Sequence, residues 1–393
     1  MADESYGSVG TPRIYVDYVQ YAKAIGMVKY YYGRYLDNVT GEYSDAWDFN
    51  PAKTTTYQAT GGAAGGQQYQ RLGVVFNNSD LEVGEIPSSG VINDSLRDLQ
   101  FRNLLSTINY FGLLNHNLGE YFNNANNPEV RLIDLGNTAG HSNDFQIVGH
   151  NPDINDIGYS LFGVNYFSYP DLKYLEGLYI QIKAYTEDDP ETENTESGIA
   201  GTYPLLNLGT ITAGRSFDLP HSANLSLNQT ISYDGVQSKR TIGGSDLTQV
   251  NYLRPKWGDL APWTNVDLNT TTVNDNDFST AGFQGRRSWD LSFSYISKED
   301  MFPRSYSNNT AGYYDYDDTQ EFDDGDNSTG LYTENVVNNW LNLTLGGQIS
   351  HILQPDKDKP TDFAIVKMDK NSLQITQQAP MLYQFKVKLV EQF

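Results

Sequence analysis

The chain has 393 residues, no cysteine and a formal net charge of −23. Without cysteine there is no disulfide framework, no thiolate metal site and no thiol nucleophile. The acidic balance argues against general nucleic-acid binding, which needs a basic face. Aromatics reach 13% and include 29 Tyr, so a core of Tyr and Phe in β structure is expected rather than disorder.

No stretch approaches 18 apolar residues, so no membrane span is expected. Met1-Ala-Asp-Glu-Ser-Tyr6 has neither a basic n-region nor an apolar h-region and does not read as a signal peptide. Asn38-Val-Thr40 and Asn342-Leu-Thr344 are therefore taken as turn and strand chemistry rather than glycosylation sites.

In chain order, Ile14, Val16 and Tyr18 alternate against Tyr15 and Asp17, which predicts an early strand. Val19 to Gly26 predicts a short helix that Gly26 stops. Residues 1–66 read as an N-terminal arm ending in the Gly-rich hinge Gly61-Gly-Ala-Ala-Gly-Gly66. A phosphate loop would need Gly-Lys-Ser/Thr at this point, and Gln67-Gln-Tyr follows instead. Residues 67–188 read as a β-sandwich module. Its strands include Leu72–Phe76 and Leu178–Ala184, with a helix from Ser95 through Ile108.

The acidic, Pro-broken run within 189–199 reads as a linker. Residues 200–393 then form a C-terminal sandwich or split barrel. Its predicted strands are Leu205–Ile211, Leu225–Tyr233, Thr248–Leu253 and Trp289–Ile296. A polar insertion over 298–335 precedes the apolar segment Trp340–Leu345. Near the end, Phe363–Asp369 and Ser372–Thr376 read as hairpin neighbours of a terminal strand, with Asp369-Lys-Asn371 as the tight connection. In that terminal strand Tyr383, Phe385, Val387 and Leu389 point one way, and Gln384, Lys386 and Lys388 the other. The fold class is all-β, with two sandwich or jelly-roll-like modules.

Candidate chemistry is sparse. Asn115, His116 and Asn117 form a compact polar cluster after an apolar run. They suit ligand contact at a loop, or a turn whose side chains satisfy backbone groups. Trp257 and Trp263 suit sugar stacking, or a core or interface. His141 and His150, with Asp144, Asp153 and Asp156 nearby, lack the local spacing of a zinc site. Asp315–Asp326 is rich in carboxylates and conceivable for calcium, but its Gly325 does not fit an EF-hand; a solvated acidic loop is the ordinary explanation. There is no Gly-x-Ser-x-Gly elbow. A carboxylate pair brought together by the fold would leave no local trace. No metal, cofactor or catalytic residue is assigned.

His351-Ile-Leu-Gln-Pro-Asp356, then a polar gap, Phe363-Ala-Ile-Val-Lys-Met-Asp369, a short strand and a terminal strand ending Lys388-Leu-Val-Glu-Gln-Phe393 make an ordered pattern. It resembles the C-terminal end of minor tail and distal-tail-type proteins of tailed bacteriophages. Arg286-Arg-Ser-Trp-Asp-Leu-Ser-Phe-Ser-Tyr-Ile296 resembles the Arg-led strand of that family, so the likeness spans roughly residues 284–393. Tyr110-Phe-Gly-Leu-Leu-Asn-His-Asn-Leu-Gly119 is similar to a segment of jelly-roll, discoidin-like modules in phage tail and baseplate proteins.

The resemblance implies a virion structural protein at the tail tip, baseplate or adaptor position, without catalytic activity. It would assemble as a ring-forming homo-oligomer with other virion proteins in the host cytoplasm and present fibres or a receptor-facing module. Two other readings stay open. One is a different virion position, such as neck, tube or capsid. The other is a carbohydrate-binding or glycan-cleaving surface protein.

Overall fold

A computed structural model describes residues 10–34, 36–51, 53–59, 70–76, 104–105, 107–118, 129–135, 146–148, 158–165, 177–183, 205–224, 228–233, 236–250, 286–303, 335–359 and 362–392. The fold is all-β, as expected: strands hold more than half of the described residues. In chain order they are β1 (Arg13–Asp17), β2 (Val28–Arg34), β3 (Leu36–Asn38), β4 (Thr55–Ala59), β5 (Gln70–Phe76), β6 (Tyr110–His116), β7 (Glu129–Leu135), β8 (Gln146–Val148), β9 (Gly158–Asn165) and β10 (Gly177–Lys183). There follow β11 (Leu205–Asp218), β12 (Asn228–Ser232), β13 (Val236–Arg240), β14 (Asp246–Val250), β15 (Arg286–Ser297), β16 (His351–Gln354), β17 (Ala364–Met368), β18 (Gln374–Ala379) and β19 (Leu382–Glu391).

Contacts divide the chain into two units. One holds the described residues of Met1–Asp17, Arg215–Tyr252 and Gly285–Gln392; the other holds those of Tyr18–Gly214. The borders fall at Asp17/Tyr18 and inside β11. The acidic linker expected at 189–199 lies outside the described residues. The expected 1–66 arm is not one body: β1 pairs antiparallel with β16, Arg13 opposite Gln354, in the C-terminal unit, while β2 to β4 belong to the other. The early strand expected from alternation is present as β1, although Ile14, Tyr15, Val16 and Asp17 are all buried rather than alternately exposed. A strand covered on both faces need not alternate.

In the central unit, helix α1 (Tyr18–Ala24) follows β1, and Gly26 takes φ 73° just beyond it, as the predicted stop requires. One antiparallel sheet runs β2-β5-β10-β7. Its β5 buries Leu72, Val74, Val75 and Phe76, each worth about 1.5–3 kcal/mol relative to exposure. Arg71 reaches across the register to Gln181, Nε to Oε1 at 3.2 Å, and lies 5.0 Å over the Tyr179 ring. In this unit β6 pairs with β11 and β9, β9 with β8, β11 with β4, and β4 with β3.

In the C-terminal unit the strand order is β12-β15-β19-β17-β16-β1. Trp289, Leu291, Phe293 and Ile296 of β15 are buried, as are Phe385, Val387 and Leu389 of β19. Tyr383, expected on the same face, is only half-buried. Phe293 and Phe385 are register partners and stack with centroids 4.7 Å apart. Trp340 meets Phe385 edge-on at 6.0 Å. It comes from the segment Trp340–Leu345, of which the first part belongs to a π-helical turn, Val337–Asn342.

The tail of the chain departs from the expected hairpins. β17 pairs with residues 389–391 of β19 and β18 with residues 382–386, both antiparallel. Both therefore lie along β19 in one direction, and Asp369-Lys-Asn371 does not reverse the chain. It is a kink, with Asn371 at φ 64°. The Asp369 amide bonds the Lys388 carbonyl at 2.9 Å, and Ser372 Oγ accepts from the Lys388 amide at 3.1 Å. A side chain thus bridges the gap in the ladder, as in an extended β-bulge. The true hairpin is β18–β19, closed by Pro380-Met381 with Met381 at φ 64°.

Candidate functional site

Asn115 sits at a break in register between β6 and β9, at φ 55°, a conformation Asn tolerates better than most residues. Its Nδ2 donates to the Pro51 carbonyl at 2.6 Å. Opposite it, a Cβ on Gly209 would lie 2.7 Å from the Pro51 oxygen and 2.8 Å from the Leu114 oxygen, so only glycine lets the backbones approach this closely. Asn117 extends the ladder with its side chain: Nδ2 donates to the Leu205 carbonyl at 2.9 Å and Oδ1 accepts from the Asn207 amide at 2.8 Å. His116 is 4% exposed, and its Nδ1 accepts from the Leu118 amide at 3.3 Å. Burial pushes its pKa down to about 4. The side chains of Asn115, His116 and Asn117 bond backbone groups, as a turn in which they satisfy the backbone requires.

Trp257 and Trp263 lie outside the described residues. So do His141, His150, Asp144, Asp153, Asp156 and the acidic loop 315–326. Among the described residues no group of three or more His, Asp or Glu side chains is placed to hold a metal. No described helix is long and apolar enough to cross a membrane.

The residues behind the C-terminal pattern have definite tasks. Gln354 is 2% exposed. Its Nε2 faces the carbonyls of Asp356, Lys357 and Lys359 at 3.0, 3.1 and 2.9 Å, and its Oε1 accepts from Tyr15 Oη at 2.7 Å. One amide thereby organises the loop after Pro355 and ties it to β1. His351 is fully buried. Its Nε2 accepts from Trp340 Nε1 at 3.1 Å, so its Nδ1 is the protonated nitrogen and donates to the Ile349 carbonyl at 2.9 Å. Burial holds its pKa down at about 4.

Arg287 is the second residue of β15 and Glu391 the last of β19, 104 positions later. They meet side by side: Arg287 Nη2 to Glu391 Oε1 at 2.9 Å, Nε to Oε2 at 3.2 Å, and the Arg287 amide to Oε2 at 2.9 Å. The guanidinium also lies 5.1 Å over the Trp289 ring.

On the opposite, solvent-facing side of β15, β19 and β18 is an open groove of about 550 Å³. This falls in the range of small-molecule sites; most of its lining residues are polar, while apolar atoms make up the larger share of the surface they present. One wall is Asn224, whose amide donates to the Ser292 carbonyl at 2.8 Å and whose Nδ2 donates to Ser294 Oγ at 3.0 Å. The other is the Ser372 kink. Between them stand Gln374, Gln384, Lys386 and Lys388. Lys386 and Lys388 are two apart in a strand and so share a face. Neither ammonium has an ion-pair partner among the described residues, although Asp290 is the register partner of Lys388.

Period-two reading put Gln384, Lys386 and Lys388 on one outward face. It could not find Asn224, Asp290, Ser292 or Gln374, because these come from other parts of the chain and carry no shared local signal. No family model, no curated protein and no solved structure matches the chain.

Proposed function

We propose that this chain is a structural subunit of a tailed-bacteriophage tail, at the tail-tip, baseplate or adaptor position. In this reading it assembles with copies of itself in a ring and with other virion proteins, and it catalyses nothing. One observation supports it most. The residues that carry the resemblance are the ones that fasten the C-terminal unit: Arg287 to Glu391, Gln354 to the loop after Pro355, and His351 to Trp340. They are scaffold residues in contact with one another or with backbone, which suits a family whose shared pattern builds structure.

The same unit offers surfaces for subunit contact. Among the described residues β12 is the last strand on its side of the sheet, with Ile231 54% exposed and Tyr233 beside it similarly open. The β13–β14 hairpin forms a two-stranded sheet of its own. Ile242 at its tip is fully exposed and Leu247 is largely so. An unpaired edge is a template for pairing, and a lone hairpin is marginal in water. Both features suit a chain completed by its neighbours.

Mass photometry of the purified chain, with gold-labelled antibody on virions that carry it, tests the reading. A discrete homo-oligomer and label at one end of the tail are expected. A strictly monomeric chain, or label confined to the capsid, would overturn it.

A further inference from the structure

We propose that the groove over β15, β19 and β18 is a binding site for a carboxylate-bearing saccharide. The inference is separate from the assembly reading, since an isolated chain would bind such a ligand as well as a ring would.

The chain carries 49 acidic and 26 basic side chains. In such a background some of the described cations find carboxylates. Arg13 does, bonding Asp218 Oδ2 through Nη2 at 3.1 Å; Arg287 and Lys53 do as well. Lys386 and Lys388, like Lys239, Lys298, Lys367 and Lys370, have no ion-pair partner among the described residues; these two differ in standing together on one strand face. Two neighbouring ammoniums that the protein leaves unpaired are a receptor for a negative charge from outside.

The rest of the lining fits a polyol rather than a bare anion. Asn224 is held by its amide and Nδ2, which leaves its Oδ1 open as an acceptor. The Gln374 amide is exposed and has no hydrogen-bond partner among the described residues. Asp290 supplies a carboxylate acceptor for sugar hydroxyls. Ser292 Oγ accepts from Asn224 Nδ2 at 3.3 Å and from Gln384 Nε2 at 3.4 Å, and Gln384 Oε1 accepts from Gln378 at 3.0 Å. The walls are thus fixed by internal bonds before any ligand arrives, which lowers the ordering cost of binding. Donors, acceptors and a localised positive charge line one open trough. A sugar acid presents the complementary set: ring hydroxyls that donate and accept, and a carboxylate for the lysines.

Isothermal titration with trigalacturonate, neutral maltotriose and citrate tests the assignment. Trigalacturonate should bind at least about tenfold more tightly than maltotriose, and binding should weaken as added salt shortens the screening length from about 10 Å at 0.1 M to about 3 Å at 1 M. Lys386→Gln with Lys388→Gln keeps length and polarity on a solvent-facing strand surface. That variant should melt with the parent chain and lose at least about tenfold in trigalacturonate affinity, the loss expected for removing charge-assisted bonds. Equal binding of the neutral trisaccharide, unchanged affinity in the double variant, or no binding at millimolar concentration would overturn the proposal. Citrate competing on equal terms would reduce the site to one for simple anions and overturn the saccharide assignment.

Discussion

Glu391 is 2% exposed and brings a full charge to the end of β19. Its stability depends on Arg287, whose guanidinium and amide give both oxygens partners. Removing one member of a buried pair leaves the other uncompensated, at a cost of about 3–5 kcal/mol. Glu391→Ala should therefore lower the unfolding free energy by about 3 kcal/mol, the lower end because Asp362 stands 3.7 Å from Arg287. Replacing both members by apolar side chains, as Arg287→Met with Glu391→Leu, should restore most of that loss in a urea titration.

The two buried imidazoles carry a pH dependence. Burial depresses His116 and His351 to about 4 from an ordinary 6.5. Below pH 6.5 the unfolded chain binds protons that the folded chain does not. The stabilisation these two groups give is complete above about 6.5 and is lost as pH falls towards 4, on the order of 3 kcal/mol for each. Proton NMR of the histidine rings checks it directly: both should keep neutral-form shifts down to about pH 5. A ring of either residue titrating near 6.5 would contradict the buried geometry.

At the scale of elements, β19 is the strand on which its unit depends. It pairs with β15 along nearly its whole length and with β17 and β18 on its other edge. Phe385, Val387 and Leu389 are buried from it, together worth roughly 5–9 kcal/mol, comparable with the whole stability of a domain. Deleting residues 382–393 should give insoluble protein; a soluble truncation with a cooperative melt would show that the sheet closes without it. Gly347 illustrates how tightly this unit packs. It takes φ 76°, and a Cβ there would lie 2.4 Å from Met368 Cβ, so the turn before β16 has room only for glycine.

For the whole molecule, the charge of −23 opposes self-association. The proposed ring would need local contacts that outweigh repulsion, and the β13–β14 hairpin is suited to supply them. Lys239 and Arg240 are basic side chains in it, close to the exposed Ile242. Replacing residues 236–250 by a short Gly-Ser linker should leave the melting temperature within a degree or two of the parent, since surface changes cost little, and reduce the proposed oligomer to smaller species. Near-molar salt should weaken association if charge contacts guide it, because screening shortens to about 3 Å. Association unchanged by salt would indicate apolar, strand-to-strand contact.

Composition and period-two patterning were enough for the all-β class, for the strands Leu72–Phe76 and Trp289–Ile296, and for the buried face of Phe385, Val387 and Leu389. These depend on local alternation and on side-chain volume, which are written along the chain. Three things were decided by tertiary structure. The kink at Asp369-Lys-Asn371 carries the residues of a reversing turn, but β19 pairs with both flanking strands in one direction, and only pairing can say so. β1 belongs with the C-terminal unit because it pairs with β16, more than 300 positions away, and its own alternation cannot name that partner. The groove joins residues from 224 to 388. Hydrogen bonds between distant strands assemble it, and a polar residue facing solvent reads the same in sequence whether or not such neighbours surround it.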